Sequence, residues 1–357
     1  MKKIVAAFMS ICLIMSLTAC NSSSSNSSST SSTVSAGPIT VTDQAGVKVT
    51  IPGKVTKIAD SWRAHNEVDI VLGGGKNIVA TVITKSGAPW MYKVNPSMNN
   101  ALSTFATNFN TEDLVSKSPD VVFMSVGDTN AAKVSSLGIP VVQLNFTTFD
   151  QMKDCMTLTA QVLGGDAPKR ATKYNAYLDS TIKSVIAVTS KLTSDQKPKV
   201  LHVESLSPLE VDGGSTIIDQ WITDAGGINV AKDVNGNMKQ VSMEQVLKWN
   251  PDVIILGANG VNGKVATVDE LKNNADWTNI AAVKNNKVYQ NPTGTYLWDR
   301  YSPEEVLQVQ WAAKTLHPDL FKNLNIEKIT KDYYKNYLNY SLTDDEVQRI
   351  LKAQHPK

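Results

Sequence analysis

The chain has 357 residues, 35 Lys and Arg against 33 Asp and Glu, and three cysteines. Its formal charge of +2 falls to about zero once Lys2 and Lys3 leave with the N-terminal segment, which excludes a basic field for nucleic acid or anionic lipid. Without that segment and the tract that follows it, a body of about 320 residues remains, larger than one hydrophobic core usually serves, so two lobes are expected.

Lys2 and Lys3 precede an apolar run from Ile4 to Leu17, and Leu17-Thr18-Ala19-Cys20 closes it. The run is shorter than the roughly 20 residues a membrane-spanning helix needs, and the small residues before the break fit a cleaved signal. Residues 1–19 therefore read as a signal peptide ending in a lipobox, with Cys20 as the lipidated first residue of the mature protein. Two acyl chains there would hold the protein on a membrane, since each buried CH₂ contributes about 0.8 kcal/mol. Residues 20–38 are dominated by Ser, Asn and Thr, too polar to pack, and read as a flexible tether. Cys12 lies in the signal, so Cys155 stands alone in the body, no intramolecular disulfide is available, and its thiol reads as a small buried hydrophobe.

From residue 39 to 165, β-rich runs at Val55–Ala59, Ile78–Ile83, Val121–Met124 and Val141–Leu144 alternate with helical stretches such as Thr111–Lys117. Residues 166–195 form one long amphipathic helix, with Pro168 near its start and Tyr174, Tyr177, Leu178, Ile182, Val185 and Ile186 at helical spacing. The alternation resumes in residues 196–357 with Val200–Val203, Thr216–Ala225 and Val253–Leu256. The fold class expected is α/β: two lobes with parallel-sheet cores joined by one backbone helix.

An internal repeat relates the lobes. Glu112, Pro119 and Asp120 recur as Glu244, Pro251 and Asp252, each 132 residues later, with two apolar residues between Glu and Pro in both copies. Asn110 and Ser242 are the expected N-caps of two short helices. A first-turn carboxylate at Glu112 or Glu244 is favoured by the helix dipole alone, and would equally serve as a docking charge on each lobe.

The signal with Cys20, the two lobes, the connecting helix and the Glu-Pro-Asp units combine with Ala225-Gly226-Gly227-Ile228-Asn229-Val230-Ala231 and Trp298-Asp299-Arg300-Tyr301-Ser302-Pro303. Together they resemble the substrate-binding lipoproteins of ABC importers for iron-siderophores, haem and vitamin B12, the helical-backbone class of periplasmic binding proteins. The resemblance spans roughly residues 39–321. It implies a monomer anchored on the extracytoplasmic face of the cell membrane, with ligand between the lobes and closure of only a few degrees. It also implies docking onto an ABC permease dimer with its ATPase subunits, in which Glu112 and Glu244 meet permease arginines.

Ligands of α/β folds gather at the carboxyl ends of parallel strands. That rule makes Trp62, Arg63 and His65, then Trp90 and Tyr92, candidates for one wall, and Tyr296, Trp298 and Arg300, with 204–207, candidates for the other. Tryptophan and tyrosine offer broad faces to a chelate, and the two arginines offer bidentate grips on its oxygens. No intrinsic cofactor or protein metal site is expected; the ligand expected is a ferric or cobalt chelate, an iron-siderophore first, with corrinoid or haem as alternatives. His202 lies in a strand and is expected to pack, while His317 and His355 are expected to face solvent. A tyrosine-rich helical tail over 325–352 is expected to pack on the second lobe.

Catalysis finds no support in the motifs. Gly73-Gly74-Gly75-Lys76 lacks the first glycine and the hydroxyl residue of a phosphate loop, and no Gly-x-Ser-x-Gly elbow occurs. A non-transport sensor or adhesion module is the remaining rival, and one glutamate per lobe argues for a permease instead.

Overall fold

The computed structural model describes residues 37–105, 109–258 and 265–357. The expected signal, Cys20 and the tether through residue 36 lie outside the described residues. Among the described residues no helix is long and apolar enough to cross a membrane.

Five parallel strands form the first sheet, in the spatial order Leu102–Ser103, Ile78–Thr81, Ile58–Asp60, Val121–Ser125, Val141–Leu144. The chain steps outward to residue 103 and then returns to the other side of Ile58–Asp60, creating a switch point beside that strand. Val121 to Met124 are fully buried, as an unbroken apolar run in a sheet covered on both faces requires. The strand expected at Val55–Ala59 starts later, because Thr56 and Lys57 give their N–H groups to the Asp120 carboxylate at 2.7 and 2.9 Å. A hairpin of Ile39–Thr42 and Lys48–Ile51 was not foreseen. Asp43 holds its turn through the N–H groups of Ala45 and Val47 and ties it to the sheet edge through Gln143.

The second sheet runs Lys239–Gln240, Leu209–Val211, Lys199–Leu206, Val253–Leu256, Val288–Gln290, and Ile228–Asn229 pairs with the start of Lys199–Leu206. It is mixed rather than all parallel. Leu206 pairs with Leu209 across Ser207 and Pro208, a two-residue link that permits only an antiparallel return. The parallel part, strands 199–206, 253–256 and 288–290, carries the loops that face the first lobe.

Helix Ala167–Thr189, 23 residues and about 34 Å long at 1.5 Å per residue, connects the two sheets. It buries Ala171, Tyr174, Leu178, Thr181, Val185 and Thr189 at steps of three and four, one continuous stripe. That stripe meets helices Phe149–Leu163, Ile217–Asp224 and Glu305–Leu316, so the connector is packed against elements on both sides of it. The Tyr174 hydroxyl donates to the Pro303 carbonyl at 2.7 Å and fixes the connector to the second lobe.

The internal repeat has a structural meaning. Helices Thr111–Lys117 and Met243–Trp249 both end in a left-handed residue, Ser118 at φ 47° and Asn250 at φ 43°. The Pro-Asp that follows enters a strand, and its carboxylate takes the N–H of Lys57 or Lys199 at 2.9 Å, next to the central strand. The aspartates are thus sheet-joining groups, which leaves the glutamates to be explained separately.

The tail corrects an expectation. Helices Ile326–Tyr337 and Asp344–Leu351 pack on both lobes, not on the second alone. Tyr333 donates to Glu67 at 3.1 Å and Lys93 pairs with Glu346 at 2.8 Å on the first lobe. On the second, Thr295 donates its N–H to the Tyr334 hydroxyl and Thr293 to the Ile350 carbonyl.

Candidate functional site

A cavity of about 820 Å³ opens where the strand ends of the two lobes face each other. One wall is Arg63 and the segment from Ser86 to Trp90, which follow strands Ile58–Asp60 and Ile78–Thr81. The opposite wall is Gln290 and the loop from Thr293 to Leu297, with Ala258, Val265 and Thr267. The third side is the C-terminal tail, Lys352 to His355. Trp90 ties it in place by donating its indole N–H to the Gln354 carbonyl at 2.9 Å. Gly294 is required in the opposite wall, because a Cβ there would collide with the Glu304 carboxylate and the Tyr334 hydroxyl that support the loop.

The residues expected to line the cleft divide into two groups. Arg63, Trp90 and Tyr296 reach the cavity, Arg63 exposed and Trp90 by a small edge at 1% exposure. Burial pushes the Tyr296 hydroxyl up to about 12, against the pull of Arg63 and Arg300, so it is a neutral donor beside two cations. Trp62 instead packs on its own lobe, stacked on His65 at 5.8 Å and against Phe146 at 5.2 Å. Tyr92 is buried with its hydroxyl on the Ile83 carbonyl at 2.9 Å, and Trp298 is fully buried in the core.

His65 is also a core residue. Its Nδ1 lies 2.8 Å from Asp60 and its Nε2 2.8 Å from Thr159. Burial lowers its pKa to about 4, so the ring is neutral. Asp60, His65 and Asp69 stand close enough to hold an ion, yet both imidazole nitrogens are already engaged.

Arg300 is withdrawn from the ligand as well. Its guanidinium contacts Glu204, lies 2.5 Å from Asp212 and 3.7 Å from Asp299, and is 4% exposed. His202 completes the cluster, with Nδ1 2.8 Å from Asp212 and Nε2 3.1 Å from Asp299. Burial opposes charging this ring, but its bonds to Asp212 and Asp299 prevail and raise its pKa to about 10. Burial pushes Glu204 up to about 8 despite Arg300, while Asp212 and Asp299, buried too, are held below the usual carboxylate range by Arg300 and His202. At neutral pH, with Glu204 protonated, Arg300 and His202 balance Asp212 and Asp299, while His202, Glu204 and Asp299 also stand close enough to one another to hold an ion.

Glu112 and Glu244 lie on the surface in the first turns of their helices. The caps are made by others: Asn110 accepts the Glu112 N–H at 2.9 Å and Ser242 the Gln245 N–H at 3.1 Å. Neither carboxylate is itself a cap, and what each gains locally is its first-turn position at the positive end of the helix dipole.

Residues 63–293 match the profile of the periplasmic binding protein family. The chain belongs to the periplasmic binding protein family. It is 28% identical over 336 residues to the molybdate-binding protein MolA of Haemophilus influenzae, covering 87% of this chain and 93% of that one. An uncharacterized ABC transporter substrate-binding lipoprotein of Bacillus subtilis, YvrC, is 25% identical over 80% of this chain and 87% of its own. A solved periplasmic solute-binding protein of Veillonella parvula superposes with a TM-score of 0.74 at 31% identity, over 88% of this chain and 97% of that chain.

This binding protein is a substrate-binding component of an ABC importer rather than an enzyme. Sequence reasoning missed Lys352, Gln354 and His355 at its cleft, where His355 is exposed as expected; His317, also expected in solvent, is instead buried with its Nε2 3.1 Å from the Gly226 carbonyl. The Thr343 capping box shows where the last helix starts, but no local pattern brings residue 354 to residue 90.

The buried cluster sets a pH dependence. His202 and Glu204 hold protons in the folded binding protein that they lose on unfolding above pH 6.5 and 4.5 respectively. Each therefore costs stability as pH rises from its unfolded value to its folded one. Between pH 6.5 and about 8 both act in the same direction, and His202 continues to about 10. A melting temperature that falls steadily from pH 6.5 to 9 is expected by differential scanning fluorimetry; a flat or rising profile would contradict the assigned protonation states.

Proposed function

We propose that this protein is a monomeric lipoprotein, anchored through Cys20, that captures an anionic metal chelate of the ferric-siderophore class between its lobes and delivers it to an ABC permease. The observation that carries the ligand class is the cleft lining. Arg63 on one wall and Lys352 on the tail offer positive charge, with the His355 ring beside Lys352 and Ser86, Thr267 and Thr293 around them. Trp62, Tyr92 and Trp298 are spent on packing, which leaves Tyr296 and one edge of Trp90 as aromatic surface. A cleft of this kind favours charged oxygens over a flat neutral macrocycle. The volume of about 820 Å³ suits a ligand of chelate size.

A metal oxyanion is the second reading, favoured by likeness to a relative named for molybdate across nearly its whole length. Both readings use the same cations. Glu112 and Glu244 serve as docking charges for the two permease subunits, whose movement, driven by ATP hydrolysis on separate subunits, parts the lobes.

The test is tryptophan fluorescence titration of residues 37–357 with ferric hydroxamate and ferric citrate, molybdate, haem and cobalamin. Saturable binding of an anionic ferric complex, weakened at least about 100-fold by Arg63→Glu through loss of a charge-assisted contact and gain of repulsion, is the expected outcome. Binding of molybdate alone would select the oxyanion reading. Tight cobalamin binding indifferent to Arg63→Glu would overturn both.

A further inference from the structure

Each lobe carries an exposed aliphatic side chain beside its exposed glutamate. Val115 is 47% exposed and Leu247 is 46% exposed. Each stands three residues after its glutamate, and the two are 132 positions apart, the same offset as Glu112 and Glu244. Residues three apart on a helix share a face, so each lobe presents one carboxylate and one aliphatic group together. The neighbours Leu114 and Val246 are fully buried and fix the orientation of both helices on their sheets.

Topology places the two pairs at corresponding edges. Helices Thr111–Lys117 and Met243–Trp249 each lead into a parallel strand beside the central one, Val121–Ser125 or Val253–Leu256. A crossover helix runs back against its strand, so its first turn lies toward the carboxyl ends of the strands, the edge that also forms the cleft. A single exposed valine or leucine needs no explanation. Recurrence of the pair at matched positions does, because apart from the buried Leu114 and Val246 the other positions of these helices differ: Thr111, Asp113, Ser116 and Lys117 in one lobe, Met243, Gln245, Lys248 and Trp249 in the other.

We propose that Val115 and Leu247 are apolar anchors of the permease-docking surface, each entering a pocket that adjoins a basic side chain on one of two equivalent permease subunits. The proposal rests on the docking role of Glu112 and Glu244 and adds the groups that hold the complex. Solvent-exposed ion pairs steer and orient but give little net affinity. Removing two aliphatic side chains from water supplies the missing part. Two modest patches on one rigid body act jointly, because engagement of one lobe raises the effective concentration of the other.

The experiment measures binding of the ligand-loaded protein to its own permease–ATPase complex in nanodiscs by biolayer interferometry. Val115→Ser with Leu247→Ser should raise Kd at least about tenfold while ligand affinity and melting temperature stay unchanged, and Val115→Leu with Leu247→Val should bind like the parent. A Kd within twofold for the serine pair, alongside loss of binding in Glu112→Arg with Glu244→Arg, would overturn the anchor role and leave docking through the glutamates intact. No effect of either pair would overturn the anchors and the docking reading together.

Discussion

Replacing Arg300 by methionine is expected to lower the melting temperature by about 10 °C, from a loss of roughly 3–5 kcal/mol. The guanidinium is the cation shared by Glu204, Asp212 and Asp299, all buried with it. Its removal leaves His202 as the one positive group in the cluster for two ionised carboxylates, and an unpaired buried charge is far costlier than a missing pair. Adding Asp212→Asn to Arg300→Met should recover part of the loss, since the charge count closes again. Circular dichroism melts read both effects. A change below 2 °C in the single variant would show that Arg300 does not hold the cluster.

Reversing Glu112 and Glu244 together to arginine is expected to abolish ligand uptake by cells, with ligand affinity within about twofold of the parent. Neither side chain lines the cavity, and neither provides the cap of its helix, so binding and folding should survive. In the docking proposed for these residues, a positive charge in place of each glutamate would meet the permease's own cations and cost encounter rate and stability of the complex at both subunits. Normal uptake by the double variant would remove these residues from docking. Weakened ligand binding would instead connect them to the cleft.

Residues that act through local pattern were legible in the sequence. The apolar runs at Val121 and Val253 gave the strands, the steps between Tyr174, Leu178 and Val185 gave the connecting helix, and the shared offset of Glu112 and Glu244 gave the relation between lobes. Side-chain direction was not legible. Trp62, Trp298 and Arg300 lie in loops, and His65 and Tyr92 in short helices, that follow strands, as the switch-point rule suggested. Each then turns inward, and for most of them a carboxylate, a hydroxyl, a carbonyl or an aromatic ring meets it there, some from nearby in the chain and some from distant sequence. Asp60 and Thr159 take His65, Ile83 takes Tyr92, and Asp212 and Glu204 take Arg300. Composition shows an arginine near a cleft; it does not show three buried acids competing for it.

The tail was misread for a related reason. Its helices are amphipathic and would pack on any apolar surface, but Tyr333 reaches Glu67 and Trp90 reaches Gln354 across more than 260 positions. Those bonds make the last residues of the chain a wall of the cleft, and they add Lys352 and His355 to Arg63. The expected ligand changes in emphasis accordingly, from aromatic platform to anion-binding basin.

Anomalous diffraction at the iron edge, from crystals grown with a ferric chelate that quenches the fluorescence, tests the central claim most directly. The account predicts one strong peak in the cavity between Arg63 and Tyr296, with ligand oxygens toward Arg63, Lys352 and His355. A peak inside the first lobe at Asp60, His65 and Asp69, or an empty cleft with the metal elsewhere, would contradict it.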